Sequence, residues 1–61
     1  MPKPGDLVIN INSESGMVGL LMKWKTFDPK TNPYTCPVVW WQDGRVSPIQ
    51  PSLIEVVSEA R

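Results

Sequence analysis

The sequence predicts a small, single-domain, all-β protein with five strands and one 3₁₀ turn before the last strand. Seven prolines and four glycines are spread over the 61 residues. No window of about ten residues is therefore both free of breakers and helical in period. Apolar residues instead alternate with polar ones in short runs, which is the period of a strand. Asp43-Gly44, between two such runs, is a preferred pair for a two-residue type I′ hairpin.

The first strand follows the turn at Pro4-Gly5, and Leu7, Ile9 and Ile11 recur there with period two. Residues 12–16 then form a loop of turn-forming residues.

The second strand is predicted over residues 17–27, the longest apolar-rich stretch. Its inward face is predicted to carry Val18, Leu20, Met22 and Trp24, and its outward face Leu21, Lys23, Lys25 and Phe27. The two lysines identify the second face as the solvent side. Gly19 in mid-strand indicates a bulge or a sharp bend, which a small barrel needs in order to close.

The third strand runs from Tyr34 to Gln42, after a loop over residues 28–33. This loop is interpreted as a plain connector, and a role in binding specificity is the alternative. The hairpin that follows is predicted to pair Gln42 with Arg45, Trp41 with Val46, Trp40 with Ser47 and Val39 with Pro48. Pro48 then lies at a site without ladder hydrogen bonds, where its missing N–H costs nothing.

Pro51-Ser52-Leu53 is predicted to form the 3₁₀ turn, and residues 54–57 a short closing strand. The domain spans residues 1–61, with residues 1–3 and 58–61 expected to fray.

Composition excludes several kinds of site. Cys36 is the only cysteine and histidine is absent, so neither an internal disulfide nor a structural zinc site can form. The six carboxylates make no close pair, no nucleophile–base set can be built, and there is no glycine-rich phosphate loop. We therefore expect no enzymatic activity, no cofactor, no metal and no small-molecule substrate. Cys36 is interpreted as a small packing residue.

The start of the chain and its hydropathy predict a location. Residues 1–4 do not read as a signal peptide, because no apolar run follows the charge. No segment approaches the roughly 18 apolar residues that a membrane span needs. We expect a soluble protein that is intracellular (cytoplasmic) or part of a virion, and not secreted or transmembrane. A net charge of zero argues against a dedicated nucleic-acid binder.

The order of elements, together with residues 4–8, 16–19, 39–44 and 51–57, resembles small SH3-like barrel proteins of the KOW or Tudor type, often encoded by bacteriophages and bacteria. The resemblance covers residues 4–57 and implies a five-stranded barrel, and in a phage a small virion or host-interaction component. The ligand modes of these families do not carry over. The first loop has Glu14 as its only acid and no aromatic residue, alternation splits Trp40 from Trp41, and the chain is not basic.

The three tryptophans are predicted to play different parts. Trp41 is assigned to the core and Trp24 to the inward face, as a cap at the barrel mouth. Trp40 is predicted to point outward near Lys23 and Lys25, as a contact patch for a partner. The alternative is a tryptophan that covers the side of the barrel beneath lysine stems.

The leading hypothesis is a non-catalytic protein-binding or assembly module with a protein partner or self-association, through Trp40 and the edge strands. The alternative is nucleic-acid binding through Lys23, Lys25, Lys30 and Arg45 with a stacking aromatic residue, which requires all four cations on one face. The third hypothesis is a structural protein without a partner of its own.

Overall fold

The computed structural model describes residues 2–60 and contains only strands, turns and one 3₁₀ turn over that range. The elements are β1 (Leu7–Asn10), β2 (Val18–Phe27), β3 (Tyr34–Trp41), β4 (Val46–Pro48), the 3₁₀ turn (Pro51–Leu53) and β5 (Ile54–Ser58). The all-β class, the five strands and the 3₁₀ turn before the last strand are confirmed.

The five strands form one antiparallel sheet in the order β4-β3-β2-β1-β5, and this sheet does not close into a barrel. The strands β4 and β5 are its two edges. The strand β4 has only three residues and ends at Pro48, so it offers too few backbone groups to pair with a second strand. The predicted strands therefore pair as an open sheet.

The core lies on one face of this sheet. It consists of Val8, Leu21, Val39, Trp41 and Ile54, with partly buried Met17, Trp24 and Ile49 packed against it. The assignment of Trp41 to the core is confirmed, since only 7% of it is exposed. Trp24 is on the same side, and its indole N–H donates to the carbonyl of Pro2 at 3.0 Å.

The face assignment of β2 was wrong for the first half of the strand. Leu21 is buried in the core, whereas Leu20 is only half-buried and Met22 is exposed. The register of β2 against β3 shifts between Leu21 and Lys23, so Met22 is an extra residue in the ladder. The extra residue reverses which face the residues before it occupy, relative to those after it. Only the second half of the strand therefore faces as predicted.

Gly19 is not at the bulge; it is where β2 and β3 approach closely. A Cβ at this position would lie 2.8 Å from Cε3 of Trp41 and would also collide with Val39. The glycine thus makes room for the buried tryptophan.

The hairpin between β3 and β4 is one residue out of its predicted register. The observed pairs are Trp40–Val46, Val39–Ser47 and Val38–Pro48. The turn is a three-residue loop, closed by Gly44 N–H donating to the carbonyl of Trp41 at 2.9 Å and Trp41 N–H donating to that of Arg45 at 2.7 Å. Gly44 has a φ of 93°, as the last residue of such a loop requires.

Both ends of the chain are tied to Asp6. The backbone N–H of Lys3 and that of Ala60 donate to its two carboxylate oxygens at 2.9 and 2.7 Å. Fraying was expected over residues 1–3 and 58–61, of which residues 1 and 61 lie outside the described range. The sequence did not predict the contacts that Lys3 and Ala60 make.

Candidate functional site

A row of apolar side chains crosses four strands on the outward face of the sheet. Leu7 of β1 pairs with Leu20 of β2, Leu20 pairs with Trp40 of β3, and Trp40 pairs with Val46 of β4. Directly opposed residues of an antiparallel ladder project to the same side of the sheet, with Cβ atoms about 5 Å apart. These four residues, here called the outward row, therefore form one continuous apolar surface.

The outward row is open to solvent. The exposed fractions are 41% for Leu7, 50% for Trp40 and 59% for Val46, and Leu20 is half-buried between them. A shallow depression of about 450 Å³ lies along three of the four row residues. It is lined by Leu7, Val18, Gly19, Leu20, Trp40, Trp41, Gln42 and Gly44. Trp40 faces outward and is half exposed, as the strand alternation predicted.

The register of the hairpin makes the row continuous. The predicted register placed Ser47 beside Trp40, but the three-residue loop brings Val46 there instead. Ser47 lies on the inward side, where its hydroxyl oxygen accepts the indole N–H of Trp41 at 3.0 Å. The neighbour of Trp40 on β4 is consequently the apolar Val46 and not, as predicted, the polar Ser47.

The row rests on rigid structure. Trp41, next to Trp40 in β3, is fixed in the core by its packing and by its bond to Ser47. At the start of β2, the Gln42 side-chain oxygen accepts the N–H of Val18 at 3.1 Å, and the N–H of Gln42 donates to the carbonyl of Val18 at 2.9 Å. The strands that carry the row are therefore held in one geometry.

The four cations proposed from the sequence do not form one cluster. Lys23 and Lys25 are exposed on the outward face, and Lys25 directs its ammonium to the ring of Phe27, 5.4 Å from the centroid. Lys30 lies in the loop before β3, whereas Arg45 lies in the loop after it, with Nε 3.3 Å from Asp43. The eight residues of β3 separate these loops by about 26 Å.

Of the two lysines on the outward face, only Lys23 lies near the row. It pairs with Val38, two residues from Trp40 on β3, whereas Lys25 pairs with Cys36, four residues from Trp40.

The buried Cys36 is a free thiol.

The acidic side chains show no grouping that suggests a metal centre. Within residues 2–60, no group of three or more Cys, Asp or Glu side chains is placed to hold a metal ion. Asp6 is buried and bonded to the chain ends, and Asp43 accepts the N–H of Arg45 at 3.0 Å. Both carboxylates thus have structural partners.

The surroundings of Asp6 shift the pKa of its carboxyl group. Hydrogen bonds from the backbone N–H of Ala60, and then of Lys3, lower the pKa of its carboxyl below the ordinary value, against the opposing effect of burial. The Lys3 ammonium, 3.4 Å away, acts in the same direction. Asp6 is a charged group held where the two terminal segments meet.

Sequence reasoning found Trp40 but missed its three neighbours. Leu20 was assigned to the core face because the bulge at Met22 has no signature in the apolar pattern. Val46 was paired with Trp41 because Asp43-Gly44 favours the shorter turn. Leu7 was recognised as part of an alternating strand, but its face was not assigned.

No protein-family model, curated protein or solved structure matches this chain. No helix in the part of the chain that the structure describes has the length and apolar character to cross a membrane.

Proposed function

We propose that this protein is a non-catalytic protein-binding module that docks onto another protein chain through the outward row. The observation that carries the proposal is the unbroken register Leu7–Leu20–Trp40–Val46, in which four strands each contribute one apolar side chain to an open face. Exposed apolar surface that continues over several elements marks interaction sites in soluble proteins.

Trp40 is the expected anchor of the interface. Tryptophan is enriched at interfaces and dominates their energetics, because a large rigid ring is desolvated at little cost in conformational entropy. Half of the Trp40 surface is available for this contact. The depression beside it receives a side chain of the partner, and Lys23 provides charge at the rim.

The resemblance to SH3-like barrels supports a binding role in general terms. The pairing of β1 with both β2 and β5, and the 3₁₀ turn before β5, are compatible with it. The open sheet departs from it. Such folds carry many unrelated functions, so the choice of a protein partner depends on the outward row.

Nucleic-acid binding through Lys23, Lys25, Lys30 and Arg45 is the weaker candidate. It requires the four cations to share a surface, and Lys30 and Arg45 lie beyond opposite ends of β3. Arg45 is also paired with Asp43.

A capture experiment with matched variants tests the proposal. The wild-type protein, Trp40→Ser and Ile11→Ser are immobilised, and proteins retained from an extract of the native cells are quantified. Ile11 is a suitable control because it is 52% exposed and lies outside the row. We expect a protein retained by the wild type and by Ile11→Ser but not by Trp40→Ser.

The affinity of that protein for each variant then gives the magnitude. Loss of an anchoring tryptophan costs 2 kcal/mol or more, so Kd should rise by about 30-fold or more for Trp40→Ser. Equal retention by all three baits would contradict the proposal. Quenching of tryptophan fluorescence by oligonucleotides, with a steep loss at physiological salt, would instead favour the nucleic-acid alternative.

A further inference from the structure

A second concave surface lies at the other end of β3. It is an open groove of about 790 Å³ between the start of β3 and the segment that leads from β4 into the 3₁₀ turn. Its lining residues are Phe27, Tyr34, Thr35, Cys36, Pro48, Ile49, Gln50, Pro51 and Ser52. The size is within the roughly 300–1,000 Å³ typical of ligand sites, and no lining side chain is charged.

One wall of the groove is a stacked aromatic pair. The rings of Phe27 and Tyr34 lie 5.5 Å apart between centroids, at an interplanar angle of 21°. The opposite wall contains Pro48, Ile49 and Pro51. The walls therefore favour apolar side chains between them.

One residue of β3 in the groove, Thr35, has no partner strand on one side among the described residues. Residues along a strand direct their backbone groups alternately to its two sides. Trp41 N–H donates to Arg45, and the Pro37 carbonyl accepts the N–H of Ile49 at 3.1 Å, so odd-numbered residues of β3 face β4. Thr35 must face that side too.

No strand of the described chain reaches Thr35 on that side. The strand β4 ends at Pro48, opposite Val38, and the chain then turns into Gln50 and Pro51. The N–H and C=O of Thr35 are thus left facing the groove without a ladder partner. Unpaired strand edges of this kind accept an additional strand from another chain.

We propose that this groove binds an extended, uncharged segment of a partner protein, which adds a short strand to β3 at Thr35. The two backbone groups of Thr35 pair with one residue of the segment, and its apolar side chains pack against the Phe27–Tyr34 pair and the proline-rich wall. Backbone pairing supplies affinity and the two walls supply selectivity in this mode of recognition.

This site is separate from the outward row. Trp40 lies six residues from Tyr34 on the same strand, about 20 Å away, and the groove shares no lining residue with the depression along the row. Binding at the groove therefore does not depend on the proposed function, and Trp40→Ser should leave it unchanged.

The test uses nuclear magnetic resonance with a defined probe, the pentapeptide acetyl-Val-Thr-Val-Thr-Val-amide. In the free protein we expect the Thr35 amide to exchange rapidly with solvent and the Cys36 amide, which faces β2, to be protected. Millimolar peptide should shift the resonances of Tyr34, Thr35 and Ile49 and slow the exchange of Thr35. The same peptide with its three central amides N-methylated should bind at least about tenfold more weakly, because methylation removes the N–H donors.

A pair of variants at Thr35 separates its backbone from its side chain. Thr35→Pro removes the N–H that faces the groove, and Thr35→Val removes only the hydroxyl, which bonds to Thr26 at 3.0 Å. Thr35→Val should bind the peptide like the wild type, whereas folded Thr35→Pro should not. If Thr35→Pro does not fold, the N-methylated peptide decides. A protected Thr35 amide in the free protein, equal binding of both peptides, or no binding at millimolar concentration would overturn the proposal.

Discussion

At the scale of single residues, Asp6 joins the two ends of the chain. Its buried carboxylate accepts N–H groups from Lys3 and Ala60, which are 57 residues apart in sequence, and it lies 3.4 Å from the Lys3 ammonium. The sequence indicated only a turn or strand-start role for this residue, because the approach of Ala60 is produced by the pairing of β5 with β1.

Asp6→Asn is expected to destabilise the protein and to change its pH dependence. The folded carboxyl has a lowered pKa, so its contribution to stability is present above the unfolded value of about 3.9 and is lost as the pH falls through the folded value. The difference between wild type and Asp6→Asn in urea denaturation should therefore be largest near neutral pH and shrink below about pH 4. A difference that stays constant down to pH 2 would contradict this role of the charge.

Gly19 illustrates a residue required for space. Gly19→Ala places a methyl group against Trp41 and Val39, and overpacking of this kind costs about 1–3 kcal/mol. Gly44→Asn is the comparison, because nothing lies within 4 Å of a Cβ at Gly44 and its cost is limited to the strain of a side chain at a φ of 93°. Denaturation midpoints should rank Gly19→Ala clearly below Gly44→Asn; equal midpoints would show that the strands separate easily.

At the scale of elements, the β3–β4 hairpin shows what turn chemistry leaves open. Asp43-Gly44 fits a two-residue turn, and it also fits a three-residue loop that ends in glycine. The three-residue loop places both Trp41 and Ser47 inward, where they bond to each other. The choice between the two depends on side-chain contacts across the hairpin, which local sequence does not display.

Ser47→Ala should destabilise the protein by about 1–2 kcal/mol, because the indole N–H of the buried Trp41 loses its acceptor. Ser47→Thr keeps a hydroxyl and should cost less. Thermal unfolding of the two variants measures the difference. Equal stabilities would mean that water replaces the serine oxygen, and that the bond does not select the register.

The strand β2 shows the same limit for periodicity. Alternation correctly predicted a long strand and the outward lysines, but one inserted residue at Met22 reversed the faces before it. A bulge does not require a particular residue type, so the sequence does not mark its position. Counting apolar residues at alternate positions therefore does not establish which of them face the core. Leu21 rather than Leu20 is therefore in the core.

At the scale of the whole molecule, the sequence was sufficient to predict the fold class. It was not sufficient to predict whether the sheet closes into a barrel. Breakers, alternation and turn residues predicted five strands and the 3₁₀ turn in the correct order. Whether the edge strands β4 and β5 meet depends on the length of β4. This strand ends at Pro48 and has only three residues. Trp40 was predicted as the centre of the site, whereas the row around it depends on the observed registers.

A neutral chain with an exposed apolar row should also show weak self-association at high concentration. Net charge is zero, so long-range repulsion is small. Val46→Lys should reduce the association seen in sedimentation velocity, whereas Ile11→Lys adds the same charge outside the row and should reduce it less. Because histidine is absent, the effect should vary little between about pH 5 and 7. Equal effects of the two substitutions would indicate a general charge effect.

Photo-crosslinking from the outward row tests the central claim most directly. A benzophenone side chain is placed at position 46 or, as a control, at position 11, and each protein is irradiated in an extract of the native cells. We predict a discrete adduct with one protein from position 46, which disappears when Trp40→Ser is added, and none from position 11. The same adducts from both positions, or none from position 46, would contradict the assignment of the row as a docking surface.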